Sequence, residues 1–241
     1  MKRIIALSLM LIMIFVLAAC GKETNENSSA SVSTSTSKNS TETSTNNDNS
    51  LGSDEGATVT IDTVKNAKET DATLFEYEEA EGGVSITGFN GSDEIVSIPQ
   101  EIGGKSVISV GSLAFANNES ILGVKIPDSV VIIEPKAFIN CENLKVLVTG
   151  SSLEIIMTYA FSNCKSLSDV ELNDGLKELH LTCFGFTNLS EIEIPSSVTV
   201  IDFPFLQQNG KTLIVIGETG SSIEQHIIEN GEEYNIEFQA K

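Results

Sequence analysis

Apolar residues recur through the middle of this chain on a fixed beat. Phe115, Phe138, Phe161 and Phe184 stand 23 residues apart. The pairs Val107/Val110, Val130/Ile133, Leu153/Ile156 and Leu176/Leu179 keep the same step of 23 and an internal spacing of three. A period of roughly 20 to 50 residues, held at several positions at once, marks a solenoid whose copies bury their apolar sides only against their neighbours. A second marker repeats with it. Ile126-Pro127, Thr149-Gly150, Leu172-Asn173, Ile194-Pro195 and Ile216-Gly217 share one position, the last two steps shortening to 22. Ile98-Pro99 is the same site 28 residues before its successor, with a turn insertion at Gly103-Gly104. The pattern predicts about five coils of 22–28 residues. Each has a short strand ending near Ile-Pro, a turn, a second apolar segment and a tight turn such as Ala114-Phe115, Ala137-Phe138 or Ala160-Phe161. Proline suits the end of a strand, where a missing N–H does no harm.

The ends of the ordered region differ from its middle. Order is predicted to begin near Thr58, where Val59 and Ile61 alternate with polar neighbours; 65–72 is weakly patterned and reads as a helical turn or a loop. Residues 74–78 and 84–89 read as strands joined around Gly82-Gly83. This hairpin is either the N-terminal cap that a solenoid's first coil needs or a small separate binding domain. The organisation is then 57–91 as N-terminal cap and 92–241 as repeat solenoid with a C-terminal cap. In that last cap Ser221 or Ser222 can N-cap a short helix over 223–229, and Gly231 can terminate it.

Coil two reads Ile126-Pro127-Asp128-Ser129-Val130-Val131-Ile132-Ile133-Glu134-Pro135-Lys136-Ala137-Phe138-Ile139-Asn140-Cys141-Glu142-Asn143-Leu144. These residues resemble the BspA-type leucine-rich repeats of bacterial and protozoan surface proteins, and the resemblance covers about 74–241. It implies a β-rich repeat solenoid with an N-terminal β-hairpin cap and a short C-terminal cap helix. The chain departs from the pattern at Cys183-Phe184, which replaces Ala-Phe, and at Phe203-Pro204-Phe205, where a distorted turn is expected.

The N-terminal residues have a different pattern. Lys2 and Arg3 precede an apolar run over 4–19, broken only by Ser8. Sixteen residues fall short of the about 20 that a membrane span needs and suit an export signal over 1–19. Leu17-Ala18-Ala19-Cys20 resembles a bacterial lipobox, which implies cleavage before Cys20 and a lipid-modified Cys20 as first residue of the mature chain. Two or more acyl chains hold a bilayer stably where one does so only marginally. Over 22–56 the chain has 22 Ser, Thr or Asn among 35 residues, too few apolar groups to offset the entropy of ordering. Residues 20–56 thus read as a lipidated cysteine and a flexible tether. Its 35 residues have a coil dimension of roughly 30 Å and a stretched limit of about 120 Å.

Charge narrows the range of partners. Without Lys2 and Arg3 the chain keeps 12 basic and 34 acidic residues, a net charge of −22. That opposes nucleic acid and anionic surfaces, and is compatible with solubility, a basic partner or loosely held divalent cations. Little in the sequence points to catalysis. His180 and His226 lack companions at metal-ligand spacing and read as surface residues; His226 with Glu229 is an isolated pair. Asn90-Gly91-Ser92-Asp93-Glu94 lacks the alternating oxygens and distal Glu of a calcium loop. No nucleophile elbow, phosphate loop or dinucleotide fingerprint occurs, so no enzyme, metal or cofactor is expected. Cys141 and Cys164 hold one repeat position a coil apart. Neighbouring strands about 4.8 Å apart would allow a disulfide, but the resemblance implies a small buried residue at this position and free cysteine packs well as one, so two inert core thiols are the favoured reading. Cys183 is expected in the core.

Alternation along the strands assigns an outward face. It comprises Ile95 and Ser97, Gly123 and Lys125, Val146 and Val148, Asp169 and Glu171, Glu191 and Glu193. Val146 and Val148 are expected as an exposed apolar patch, flanked by Lys125 and by the four carboxylates Asp169, Glu171, Glu191 and Glu193. The face is either a binding site for a basic partner or an acidic surface that deters aggregation. The resemblance implies adhesion to host or matrix proteins or to other cells; the alternative is a structural or accessory scaffold docking another cell-envelope protein or enzyme. Either way a monomeric, surface-anchored ectodomain with a host, matrix or envelope protein as partner is expected.

Overall fold

The computed structural model describes residues 58–206 and 211–241. The predicted export signal, Cys20 and the tether lie outside them. The described chain begins with one turn of helix, α1 (Ile61–Lys65), and then the hairpin β1 (Phe75–Ala80) and β2 (Gly83–Phe89). The two hairpin strands are antiparallel, and β2 pairs in parallel with β5 (Lys105–Val110), so the hairpin is joined to the first coil. From there β7 (Ile132–Ile133), β9 (Ile155–Ile156), β11 (Glu178–Leu179) and β13 (Val200–Ile201) extend one parallel ladder. The Gly103-Gly104 insertion forms a small hairpin between β4 (Glu101–Ile102) and β5.

The other ladder carries the predicted Ile-Pro strands. β3 (Ile95–Ser97), β6 (Gly123–Lys125), β8 (Val146–Val148) and β10 (Asp169–Glu171) pair in parallel, each residue opposite its repeat equivalent. The pairing stops there. β12 (Glu191–Glu193) instead pairs onward with β14 (Leu213–Gly217), and β14 with β15 (Ile236–Ala240).

Between the ladders lies the core that the 23-residue beat fills. Phe115, Phe138, Phe161 and Phe184 stack with ring centroids 4.6, 5.0 and 5.5 Å apart and planes within 10° of parallel. Phe89 covers the first ring at 5.5 Å, and Phe205 continues the stack at 6.2 Å. Beside the rings, the tight turns place two residues per coil in the left-handed region, among them Lys136 and Asn140, and Tyr159 and Asn163. Asparagine tolerates that backbone, and here its side chain adds a ladder: Asn140 Nδ2 donates to Asn117 Oδ1, and Asn163 Nδ2 to Asn140 Oδ1, both at 2.8 Å.

One expectation holds and two change in detail. The Phe203-Pro204-Phe205 turn is distorted, being one residue short: Thr182 and Phe184 N–H groups donate to the adjacent Phe203 and Pro204 carbonyls at 2.8 and 2.9 Å, where the Tyr159 and Phe161 N–H groups reach Leu181 and Cys183, two residues apart. Pro204 takes the alanine's place and lacks the N–H that closes the other turns. The terminal helix, α2 (Ser222–Tyr234), starts as expected with Ser221 as N-cap but runs through Gly231 to a left-handed Asn235. Gly231 is an interior residue because a Cβ there would meet the Ile236 carbonyl oxygen at 2.5 Å. Strand β15 then returns to pair with β14, an element the sequence pattern did not predict.

Candidate functional site

The strand face is half covered. Thr60 caps α1 reciprocally with Thr63: the Thr63 N–H donates to Thr60 Oγ1 at 3.3 Å and the Thr60 N–H to Thr63 Oγ1 at 2.8 Å. The capped turn lays Val64 against Val146 and Val148, with Val59, Ile61 and Ile95 around them. Val64 and Val146 are fully buried and Val148 nearly so. The expected exposed patch at Val146 and Val148 is therefore corrected. Alternation did direct these side chains away from the central core, but a segment from outside the repeats covers them and forms a second, smaller core. Gly123 makes the approach possible, since a Cβ there would stand 2.5 Å from a Val64 methyl. Polar contacts hold the same segment. Lys125 Nζ donates to the Lys65 carbonyl at 2.7 Å, so Lys125 is a fastener of this segment. Thr70 N–H donates to Ser97 O at 2.8 Å, and Ser97 N–H to Thr70 Oγ1 at 3.1 Å.

The four carboxylates occupy the half that α1 leaves uncovered. Asp169, Glu191 and Glu193 are exposed and Glu171 is partly so. Glu171 accepts an ion pair from Lys65 at 2.7 Å, and Glu193 from Lys241. The glutamate raises the Lys241 pKa, by hydrogen bond and by charge. Here, between β10 and β12, the ladder is parted. Elsewhere at this register the Ile126, Thr149 and Ile194 N–H groups donate to Val148, Glu171 and Ile216 carbonyls at 2.9–3.0 Å. Leu172, the equivalent donor facing Glu193, makes no such bond among the described residues. A groove of about 440 Å³ opens there, with Val170, Leu172 and Ile192 in its lining and the carboxylates at its walls. Val170 is only partly buried, whereas its repeat equivalents Val96, Val124 and Leu147 are fully buried.

The remaining candidates are structural. Cys141, Cys164 and Cys183 are buried free thiols. Cys141 and Cys164 donate to Phe115 and Phe138 carbonyls at 3.0 and 3.2 Å, each thiol tying its coil to the preceding one. Burial pushes the Cys164 and Cys183 thiols up, so they stay protonated. His180 is clamped between Glu178 of its own coil (2.9 Å) and Asp202 of the next (3.0 Å). His226 packs edge-on against Phe203 at 5.0 Å, and burial lowers its pKa against the opposing charges of Glu229 and Asp202. Among the described residues no three His, Cys, Asp or Glu side chains form a group that could hold a metal ion.

A stack of coils with its repeat signature turned inward, and with the changing residues left on a strand face, defines the class: a leucine-rich-repeat solenoid, a scaffold for protein interaction. The family model described as BspA type Leucine rich repeat region matches residues 89–235 in six copies. The chain belongs to that family. Among solved structures it is similar to a leucine-rich repeat protein of T. pallidum, at 28% identity and TM-score 0.58, over 62% of this chain and 71% of that one. It is also similar to a leucine-rich repeat protein of Bacteroides ovatus, at 21% identity and TM-score 0.50, over 70% of this chain and 51% of that one. No curated protein matches the chain.

Proposed function

We propose that this chain is a lipid-anchored surface protein whose solenoid binds other proteins and serves in adhesion to host or matrix proteins or to other cells. The observation that carries the reading is the division of labour within each coil. The repeat residues are spent on the core, and the half of the strand face that α1 leaves open presents carboxylates outward, of which Asp169 and Glu191 take part in no ion pair among the described residues. The anchor rests on the Leu17-Ala18-Ala19-Cys20 sequence and the polar segment after it. Together they would hold the solenoid at up to about 120 Å from a membrane.

Two measurements on the full chain test the reading. Cells expressing it should incorporate labelled fatty acid into the protein, and Cys20→Ser should abolish the label and release the chain from the membrane. Surfaces coated with separate matrix proteins should retain cells carrying the chain and not cells lacking it. Equal retention, with one endogenous envelope protein recovered on crosslinking, would replace adhesion by an accessory role.

A further inference from the structure

We propose that the parted ladder between β10 and β12 is a docking groove for a basic, extended segment of a protein partner, with one arginine or lysine side chain entering between Asp169 and Glu191. The inference rests on the protein-binding reading above and names the site and the chemistry of the partner.

The first ground is the break itself. A parallel ladder gives each strand two rows of hydrogen-bonding groups, and a row left unpaired keeps its donors and acceptors open to the polar head of an incoming side chain. In this molecule the second ladder is continuous from β3 to β10 and again from β12 to β15, and the other ladder runs unbroken through β11 and β13 beside the gap. The coils therefore remain stacked on one side while they part on the other. The parting falls where two carboxylates of one strand stand beside two of the next, an arrangement that like-charge repulsion disfavours.

The second ground is width. Cα atoms of β10 and β12 still approach within 8 Å. Inserting a whole strand would need two spacings of about 4.8 Å, so a strand does not fit and a long side chain does. The partly uncovered Val170 and Leu172 offer an apolar surface to the methylene stem of such a side chain.

The third ground is charge. The protein already seats ammonium groups on this surface twice, Lys65 on Glu171 and Lys241 on Glu193. Both lysines come from outside the coils that carry the carboxylates. Glu191 has no ion pair or side-chain hydrogen bond among the described residues, and the Asp169 side chain accepts only from the Ser168 hydroxyl. These two carboxylates face the groove without a cation, and an incoming guanidinium with its fork of donors matches both them and the unpaired carbonyls beneath. An acidic or uncharged segment would leave them uncompensated.

The test uses the isotopically labelled full chain and the peptide acetyl-Thr-Val-Arg-Val-Thr-amide, followed by NMR titration. Saturable shifts confined to residues around Val170, Leu172 and Glu191–Glu193 are expected, with affinity about tenfold weaker in Asp169→Asn/Glu191→Gln. Asp93→Asn/Glu94→Gln removes the same net charge elsewhere and should bind as the parent does. Equal weakening in both variants, shifts spread over the surface, or no saturable binding would overturn the groove. If a protein partner crosslinks to the parent and to Asp169→Asn/Glu191→Gln alike, the groove fails while the protein-binding reading stands.

Discussion

Asn140 shows how one residue can serve three coils. It holds a left-handed backbone at φ 61°, donates to Asn117 in the coil before and accepts from Asn163 in the coil after. Asn140→Ala should lower stability by about 2–3 kcal/mol, since alanine is strained there and two hydrogen bonds are lost. Asn140→Gly should cost about 1 kcal/mol less because glycine accepts the backbone. Urea unfolding measures both, and equal losses would deny the backbone contribution. The ladder ends for a reason visible in the sequence: one repeat beyond Asn163 stands Phe186, whose backbone keeps φ 57° but whose ring offers no amide. His226 belongs to this scale too. Its pKa is lowered chiefly by burial, so the neutral form is favoured in the folded state. The stability this contributes is present above the ordinary value of 6.5 and lost as the pH falls through the lowered folded value. Amides of α2 should therefore exchange faster as the pH is taken below 6.5, after correction for intrinsic rates. In His226→Gln that added loosening should be absent. A parent-like pH response in the variant would assign the effect to another group.

At the scale of elements, the coils were legible because their residues repeat, and α1 was hidden because it occurs once. Period-two alternation correctly turned Val146 and Val148 away from the central core, but alternation reports direction and not what lies above. The signal was present in weak form: Thr60 and Thr63 make a capping pair, and Ile61 and Val64 have the three-residue spacing of one helical face. A five-residue helix has no periodicity to count. β15 escaped notice similarly, since its pairing with β14 depends on α2 reversing the chain, and Gly231 read as a stop is interior. Gly123 is the critical fit beneath α1. Gly123→Ala should expel Val64, speed hydrogen exchange of 61–65 and expose Val146 and Val148. The cost should be about 1–3 kcal/mol, with the phenylalanine stack still protected. Unchanged protection of 61–65 would show that α1 does not depend on this close approach.

Over the whole molecule, stability and recognition are separated by direction. Inward residues repeat, and they build a quasi-one-dimensional stack in which each coil touches only its neighbours. Outward residues vary, and α1 and the charge pattern divide their surface into a covered apolar half and an open acidic one. The acidic residues were legible in the sequence as neighbours on two strands. The parted ladder was not, because pairing rules describe the bonds strands form and carry no account of a place where four carboxylates accompany their absence. Protein partners are expected to engage the open half of the strand face. The most direct measurement replaces Ser190, exposed immediately before β12, with the photoreactive p-benzoylphenylalanine in the full chain on living cells. A matched chain carries the probe at Glu232, exposed on α2. Irradiation in the presence of matrix proteins should yield a discrete crosslinked protein from position 190 and none from position 232. Crosslinks equal at the two positions, or none at 190, would show that partners do not engage the open half.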